Sequence, residues 1–552
     1  MKFVIVGGVA GGMSAATRLR RLNEDAEIIV LEKGPYVSFA NCGLPYYIGG
    51  VIQNRSALLV QTAEKLYDRF RLDVRIESEV LKIDRQHQKV TVNHQDYLYD
   101  ESYDKLILST GAKPVVPPMK GAGEADNLYT LRDVPDAEWI VQMIETNKTG
   151  RAVIVGAGFI GLEMAENLYR RGLKVTVIER AGQILPPLDI EMAAAIEREL
   201  VSRHIRLFKG RTVTGFEDRG ATVVMDDGRR LETDLTILSV GVRPESVLAA
   251  DAGLELGTRQ AIVVNDRLQT SDPNIYAIGD AISVRHFVSG TAAVIPLASP
   301  ANRQGRMVAD ILSGIERHYA GTLGTSIVRV FDQAAAVTGL NEKQLQGSGI
   351  AYETVHTSPY DHATYYPGSQ SMQLKLLFES PAGRLLGAQA VGEQGVDKTI
   401  DVLSTAIKAK MTVYDLTELE LAYAPPFNSA KSPVNMLGYV SQNILEHKVD
   451  AIQWNKVDQR IREGSLLIDV RTKSEYEQGT IPGAANIPLD SLRERIDELP
   501  RHKEIIVACR VGLRGYLAAR ILSQKGYKVK NLDGGYKLYS TVFSAKNKKE
   551  KN

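Results

Sequence analysis

Among 552 residues there are two cysteines, Cys42 and Cys509, and each stands where a thiol would act as a reagent. Cys42 lies in Ser38-Phe39-Ala40-Asn41-Cys42-Gly43-Leu44-Pro45-Tyr46. Gly43 and Pro45 read as the start of a helix, whose N-terminal dipole favours a thiolate. Cys509 heads Cys509-Arg510-Val511-Gly512-Leu513-Arg514, after the apolar run Ile505-Ile506-Val507-Ala508 and ahead of a helix. Such a loop turns successive N–H groups inward as a nest for an anion. With Arg510 and Arg514 nearby, Cys509 is expected as a stabilised thiolate. So sparse a use of cysteine argues against a disulfide scaffold and for a reducing compartment, the cytoplasm.

Two further segments have the spacing of a phosphate cradle. Ala152-Val153-Ile154-Val155 leads into Gly156-Ala157-Gly158-Phe159-Ile160-Gly161, then a helix to Arg171 and a strand ending at Glu179. A pyrophosphate needs backbone N–H groups at close range and a helix N-terminus, and an acid at the end of the second strand takes the ribose 2′-hydroxyl. Glu179 therefore points to NADH, while Arg180 beside it leaves NADPH as the alternative. The other turn, Gly7-Gly8-Val9-Ala10-Gly11-Gly12, follows Phe3-Val4-Ile5-Val6 and departs from the pattern, with Val9 in the middle glycine's place; Glu32 completes it as a ribose ligand. Two more segments point to a flavin: Thr110-Gly111 closes the strand Leu106-Ile107-Leu108, and Gly279-Asp280 ends another, where an Asp can bind a ribityl chain.

These residues need elements to hold them. At 552 residues the chain is too long for one core, and the size prior gives about three or four domains. Strand, glycine turn, helix and strand occur twice, with continuous β-branched strands, so two parallel sheets covered on both faces are expected. After roughly residue 323 the pattern changes to mixed strands and helices, and a polar connection near 446–450 leads to a separate C-terminal unit with buried strands at Leu466–Val470 and Glu504–Ala508. The last residues, 544–552, read as a polar, mostly basic, frayed tail. A net charge of +1, with 44% hydrophobic and 24% charged residues, gives no reason to propose nucleic acid. No apolar run approaches the roughly 20 residues of a membrane span, and the chain opens directly on a strand, without a signal peptide. No metal site is expected.

In the order of these motifs, residues 1 to about 442 resemble the flavin disulfide reductases with two dinucleotide domains, one inserted in the other. The segment around Cys42 is similar to the coenzyme A-disulfide reductase branch. Glutathione-reductase-like members carry a second cysteine shortly after the first. Here there is none, so Cys42 must pair with a thiol from outside the chain, or cycle through a persulfide or sulfenate. The resemblance implies an α/β fold with an FAD domain at 1–118 and 250–322, a nicotinamide domain at 119–249, an α+β dimerisation domain at 323–442 and a linker at 443–453. It implies FAD contacts at Gly7, Val9, Ala10, Gly11, Gly12, Glu32, Lys33, Thr110, Gly111, Gly279 and Asp280. Nicotinamide contacts fall at Gly156, Gly158, Phe159, Ile160, Gly161, Glu163, Glu179 and Gly241. For coenzyme A it implies Ser14, Arg18, Arg21, Ser38, Asn41 and Arg71, with Asn302 and Lys431 from the partner of a homodimer. Two tyrosines of one subunit would reach the other's cysteine, here Tyr365 and Tyr423, with Tyr366 as the alternative to Tyr365. The NADH oxidase and peroxidase branch also uses one cysteine, but its members typically have a histidine in the first glycine turn, where this chain has Ala10.

Residues 454 to about 543 resemble a rhodanese, an α/β sulfur-transfer domain, through Asp469-Val470-Arg471, the stretch Glu475 to Pro488, and the Cys509 loop. The resemblance implies that Cys509 carries a persulfide, with Arg510, Gly512 and Arg514 around it. Thr480 replaces a common histidine, and Gly515 replaces the common Ser or Thr, removing a hydroxyl that would support the persulfide. The expected activity is NAD(P)H-dependent reduction of coenzyme A persulfide or polysulfide, and of coenzyme A disulfide, with sulfane sulfur donors as partners. The alternatives are an oxidase or peroxidase, and a sulfur carrier or redox sensor that does not turn over.

Overall fold

The computed structural model describes residues 1–146 and 149–547. It forms two compact units: residues 1–184 with 205–324, and residues 185–204 with the chain from Thr325 onward. Among the described residues no helix is long and apolar enough to cross a membrane.

The first unit holds two five-stranded parallel sheets built alike. One runs in the order Ile275–Ala277, Lys105–Leu108, Lys2–Val6, Glu27–Leu31, Asp73–Arg75. The other runs Arg206–Lys209, Lys174–Glu179, Arg151–Val155, Leu235–Leu238, Leu128–Tyr129. Their central strands are buried almost throughout, as an apolar run covered on both faces requires. Each central strand passes through a glycine turn into a helix, Ala10–Leu22 or Phe159–Arg170. The chain leaves the first domain through Ala112–Pro114 and returns through Val242–Pro244, which pair antiparallel with Pro114 opposite Val242. One dinucleotide domain is thus inserted in the other.

The second unit contains a five-stranded antiparallel sheet, in the order Ser326–Val330, Gln333–Gly339, Leu385–Gly392, Gln373–Glu379, Tyr352–Thr357. It also contains a five-stranded parallel sheet: Asp450–Ile452, Val529–Leu532, Ile505–Ala508, Leu466–Asp469, Ala485–Asn486. Four boundaries differ from the sequence reading. Asp450–Ile452 falls in the stretch read as a linker, yet pairs with Lys530–Leu532; a three-residue edge strand tolerates polar residues and so hides in a polar run. The helix Pro433–Leu445 also runs past 442. Residues 185–204, read inside the nicotinamide domain, belong to the second unit, where Ala194 joins the core formed by Trp454, Leu532 and Tyr539. The closing helix, Gly535–Asn547, extends beyond 543, and the remainder of the basic tail lies outside the described residues.

Candidate active site

The two glycine turns are closed in the same way. Gly7 has φ +100°, and a Cβ there would stand 2.2 Å from the Ser109 carbonyl oxygen; Gly156 has φ +105°, with the Ser239 carbonyl oxygen 2.4 Å away. A Cβ on Gly12 would meet the Gly7 oxygen at 1.9 Å, and one on Gly161 the Gly156 oxygen at 2.1 Å. Only glycine allows this approach of helix to strand. The acids at the strand ends bind the turns from behind. Glu32 accepts from the N–H groups of Gly8 and Gly34, both at 2.8 Å. Glu179 does the same for Ala157 at 2.8 Å and Ala181 at 2.7 Å.

Both helices begin without a side-chain cap and without an acidic residue in the first turn. Their first N–H groups are therefore left to an anion. Around Gly111, Gly158 and Gly241 a Cβ would meet no atom of the described residues within 4 Å, which leaves open space beside the backbone there. These residues fit a dinucleotide pyrophosphate at each turn. Val9 caps the first helix in the place Gly158 holds in the second. Of the remaining expected contacts, Lys33 and Ile160 are exposed, Ala10 and Phe159 half-buried, and Gly11 is buried against Ser109 and Ile278. Thr110 is tied to the Glu245 carbonyl oxygen at 2.5 Å, and the Gly279 N–H to Gln304 at 2.7 Å. Burial pushes the Asp280 carboxyl up to about 6.

Cys42 sits in a short turn, Asn41–Gly43, ahead of the five-residue helix Leu44–Ile48, and it is exposed. The sequence reading expected a favoured thiolate. The structure reverses it: desolvation, then the negative charges of Glu163 and Asp280, push the thiol up, against a smaller lowering by a backbone N–H. Glu163 accepts from the Tyr46 hydroxyl at 3.2 Å. Burial, aided by Glu166, carries the Glu163 carboxyl up to about 7 despite that bond. Sequence reasoning placed Glu163 among nicotinamide contacts and missed that it titrates beside Cys42; nothing in the spacing signals it.

The residues expected at coenzyme A are partly brought together. Ser14 donates to Asn302 at 2.6 Å within one chain, because the helix Ala298–Leu312 packs on Ala10–Leu22. Asn302 was expected to join from the partner subunit; here it is a neighbour of Ser14 in its own chain. Arg18 is paired with Asp310 at 2.8 Å, and Arg21 donates to the Thr17 carbonyl at 3.0 Å. Ser38, with φ 48°, precedes the exposed Asn41. Arg71 caps its helix in the left-handed region and lies over the Tyr67 ring. Lys431, in the second unit, is exposed.

Tyr365 and Tyr423 meet. Their hydroxyls are 2.6 Å apart, and the two residues are 73% and 48% exposed. The bond to Tyr423 raises the Tyr365 phenol. Tyr366 instead lies edge-on to His362.

Cys509 is buried, 1% exposed, and its sulfur accepts from the Gly512 N–H at 3.1 Å. Arg514 is less available to it than expected: both its terminal nitrogens hold Glu475 at 2.7 Å, and that carboxyl is pulled down to about 2. Arg510 is exposed. The two departures from the rhodanese pattern have physical accounts. Thr480 donates to Asp469 at 2.7 Å, completing the set in which Asp469 holds Arg471. A Cβ at Gly515 would stand 2.2 Å from Asn531 Oδ1, so Asn531 fills the room a larger residue would need.

The family model of pyridine nucleotide-disulphide oxidoreductases matches residues 1–305, its dimerisation domain 325–433, and the rhodanese-like domain 453–541. Coenzyme A disulfide reductase of Staphylococcus epidermidis is 40% identical over 444 residues, 80% of this chain and 100% of the relative. The crystal structure of reduced Bacillus anthracis CoADR-RHD aligns with a TM-score of 0.98 at 53% identity over 98% of each chain. An NAD-dependent persulfide reductase from A. fulgidus aligns with a TM-score of 0.92 at 37% identity, covering 98% of this chain and 100% of its own. With the first model covering more than half of its length, and that curated relative matched end to end, the chain belongs to the pyridine nucleotide-disulphide oxidoreductases and carries a rhodanese-like domain after its dimerisation domain.

Proposed function

We propose that the protein uses NAD(P)H to reduce sulfur–sulfur bonds of coenzyme A, with coenzyme A persulfide or polysulfide as the working substrate and coenzyme A disulfide as a retained one. The observation that carries this reading is Cys42: an exposed thiol in the unit that holds both nucleotide turns, in a chain whose second cysteine, Cys509, lies in the other unit. Its disulfide partner is then a small thiol. On this reading residues 1–118 and 250–322 hold FAD, and residues 119–249, apart from the 185–204 segment, hold the nicotinamide.

FAD, when bound, relays the two electrons of NAD(P)H to sulfur. The rest belongs to the chain. The Cys42 thiolate attacks one sulfur of the substrate; a new S–S bond joins Cys42 to it, and the other sulfur leaves with the bonding pair and takes a proton. Two electrons then split the mixed disulfide, returning Cys42 as thiolate and releasing the second thiol. Tyr365 and Tyr423, contributed by the second subunit of a homodimer, hold a proton ready for the leaving sulfur. Glu163, half-ionised near pH 7, is placed to lose or accept a proton as the charge on Cys42 changes. Ser14, Arg18, Arg21, Ser38, Asn41, Arg71, Asn302 and Lys431 are our candidates for coenzyme A contacts, and Arg18 must share its charge with Asp310.

Cys509 collects sulfane sulfur as a persulfide and passes it to coenzyme A, which supports cytoplasmic sulfur donors as partners. Limiting polysulfide tests this step: a Cys509→Ser variant that reduces it at the full rate rules the step out. Steady-state NADH consumption tests turnover against a carrier that only stores a mixed disulfide.

A further inference from the structure

We infer that His356 and Asp533 are positioning residues for Cys509: the dimerisation domain sets the geometry of the sulfur-carrying loop through one buried contact. This deepens the reading of Cys509 as a sulfur carrier and rests on it.

The contact lies within the second unit. Asp533 follows the strand Val529–Leu532, and its carboxylate accepts from the His356 N–H at 3.0 Å, from His356 Nδ1 at 2.7 Å and from Gln453 Nε2 at 3.0 Å. His356 belongs to Tyr352–Thr357, the edge strand of the antiparallel sheet. Its Nε2 faces Glu191 at 3.1 Å. Glu191 in turn holds Lys375, a fully buried lysine that also meets Asp189 at 2.7 Å and Glu342 at 3.2 Å. Burial opposes an imidazolium here and Lys375 adds to that, but Asp533 and Glu191 outweigh both, carrying His356 up to about 9. The ring is therefore a cation that donates from both nitrogens to carboxylates at neutral pH.

Asp533 immediately precedes the residues that contact the sulfur loop. Gly534 and Gly535 turn the chain at φ +69° and +62°, and a Cβ on Gly535 would meet the Cys509 carbonyl oxygen at 2.5 Å. The next helix then begins on the loop: Tyr536 N–H donates to the Cys509 oxygen at 2.7 Å, and Lys537 N–H to the Arg510 oxygen at 2.9 Å. These bonds anchor the carbonyls of Cys509 and Arg510, the start of the loop whose Gly512 N–H donates to the sulfur. An Asp533 that lost His356 would free the turn on which those bonds depend.

The test uses the full-length, FAD-loaded protein with His356→Gln and Gln453→Ala, the second removing one Asp533 partner while leaving the imidazolium in place. Hydrogen exchange of residues 509–514 and sulfur transfer from thiosulfate to cyanide are measured. In that transfer the Cys509 thiolate takes the outer sulfur as sulfite leaves, and cyanide then removes it as thiocyanate. We expect loop exchange about tenfold faster in His356→Gln, the scale of one charge-assisted hydrogen bond, and a few-fold faster in Gln453→Ala. Transfer kcat should fall in step, with KM for thiosulfate unchanged. Wild-type transfer should also decline above about pH 9, where the imidazolium deprotonates, and His356→Gln should lack that decline. Wild-type exchange in both variants would overturn the inference, as would acceleration spread evenly over the whole parallel sheet. If His356→Gln does not fold, Gln453→Ala decides alone. A wild-type protein that transfers no sulfur would instead refute the carrier role of Cys509, leaving loop exchange to judge the contact.

Discussion

Placing a serine at residue 515, the kind of residue rhodaneses commonly have there, should harm this protein unless residue 531 changes with it. In Gly515→Ser the new Cβ would lie 2.2 Å from Asn531 Oδ1 and 3.3 Å from its Cγ, the first well inside the 3.0 Å that real Cβ atoms respect. Asn531 would have to turn away, giving up its 3.2 Å bond to the Gly512 carbonyl. The lost bond is worth about 1 kcal/mol, and forcing extra volume into a filled site costs roughly 1–3 kcal/mol more. A domain of this size loses about 4–8 °C of melting temperature per kcal/mol, so the rhodanese transition should fall by about 10 °C or more. Because Asn531 Oδ1 has no hydrogen-bond partner among the described residues, Asn531→Ala leaves no donor stranded by its loss. The double variant should then regain most of the melting temperature, a coupling of about 1–2 kcal/mol. The assay is calorimetry of all four proteins, with sulfur transfer measured alongside. A Gly515→Ser protein that melts with the wild type would refute the reasoning.

Glu163→Gln removes a negative charge beside Cys42, so the thiol should titrate at lower pH, and the rise of Cys42 alkylation with pH, followed in Cys509→Ser protein, should shift to lower pH. Arg514→Gln should raise Glu475 from about 2 toward the ordinary carboxylate range, with the Thr472 hydrogen bonds keeping part of the depression. A depressed carboxyl stabilises above its unfolded pKa, so the wild type's extra stability should fade as pH drops from about 4.5 toward 2, and melting curves of Arg514→Gln should lack most of that contribution. Tyr365→Phe and Tyr423→Phe break the 2.6 Å hydroxyl pair and should each lower reductase kcat by about ten- to a hundredfold, with dimer mass unchanged by light scattering.

What could be read ahead of the structure followed from backbone chemistry. Gly156, Gly158, Gly161 and Glu179 announce their turn because the pyrophosphate demands those residue types at that spacing, and even the irregular Gly7–Gly12 turn proved to be closed by the same two contacts. Charge at Cys42, and the availability of Arg514 beside Cys509, are not legible in the sequence, since they depend on groups distant along it. Glu163 lies 121 positions from Cys42 yet raises its thiol, and Glu475 takes the guanidinium of Arg514. Asp450–Ile452 was taken for a linker because an edge strand needs little apolar character. The His356–Asp533 contact spans 177 positions and was not anticipated, though a lysine inside the apolar strand Gln373–Glu379, Lys375, is a legible sign of buried charge awaiting partners.

The most direct test is anaerobic NADH oxidation by the FAD-loaded protein with coenzyme A disulfide, coenzyme A persulfide, polysulfide and peroxide, wild type against Cys42→Ser. The account predicts rapid turnover with the sulfur substrates that disappears in Cys42→Ser; turnover confined to peroxide, or sulfur reduction that survives the loss of Cys42, would contradict it.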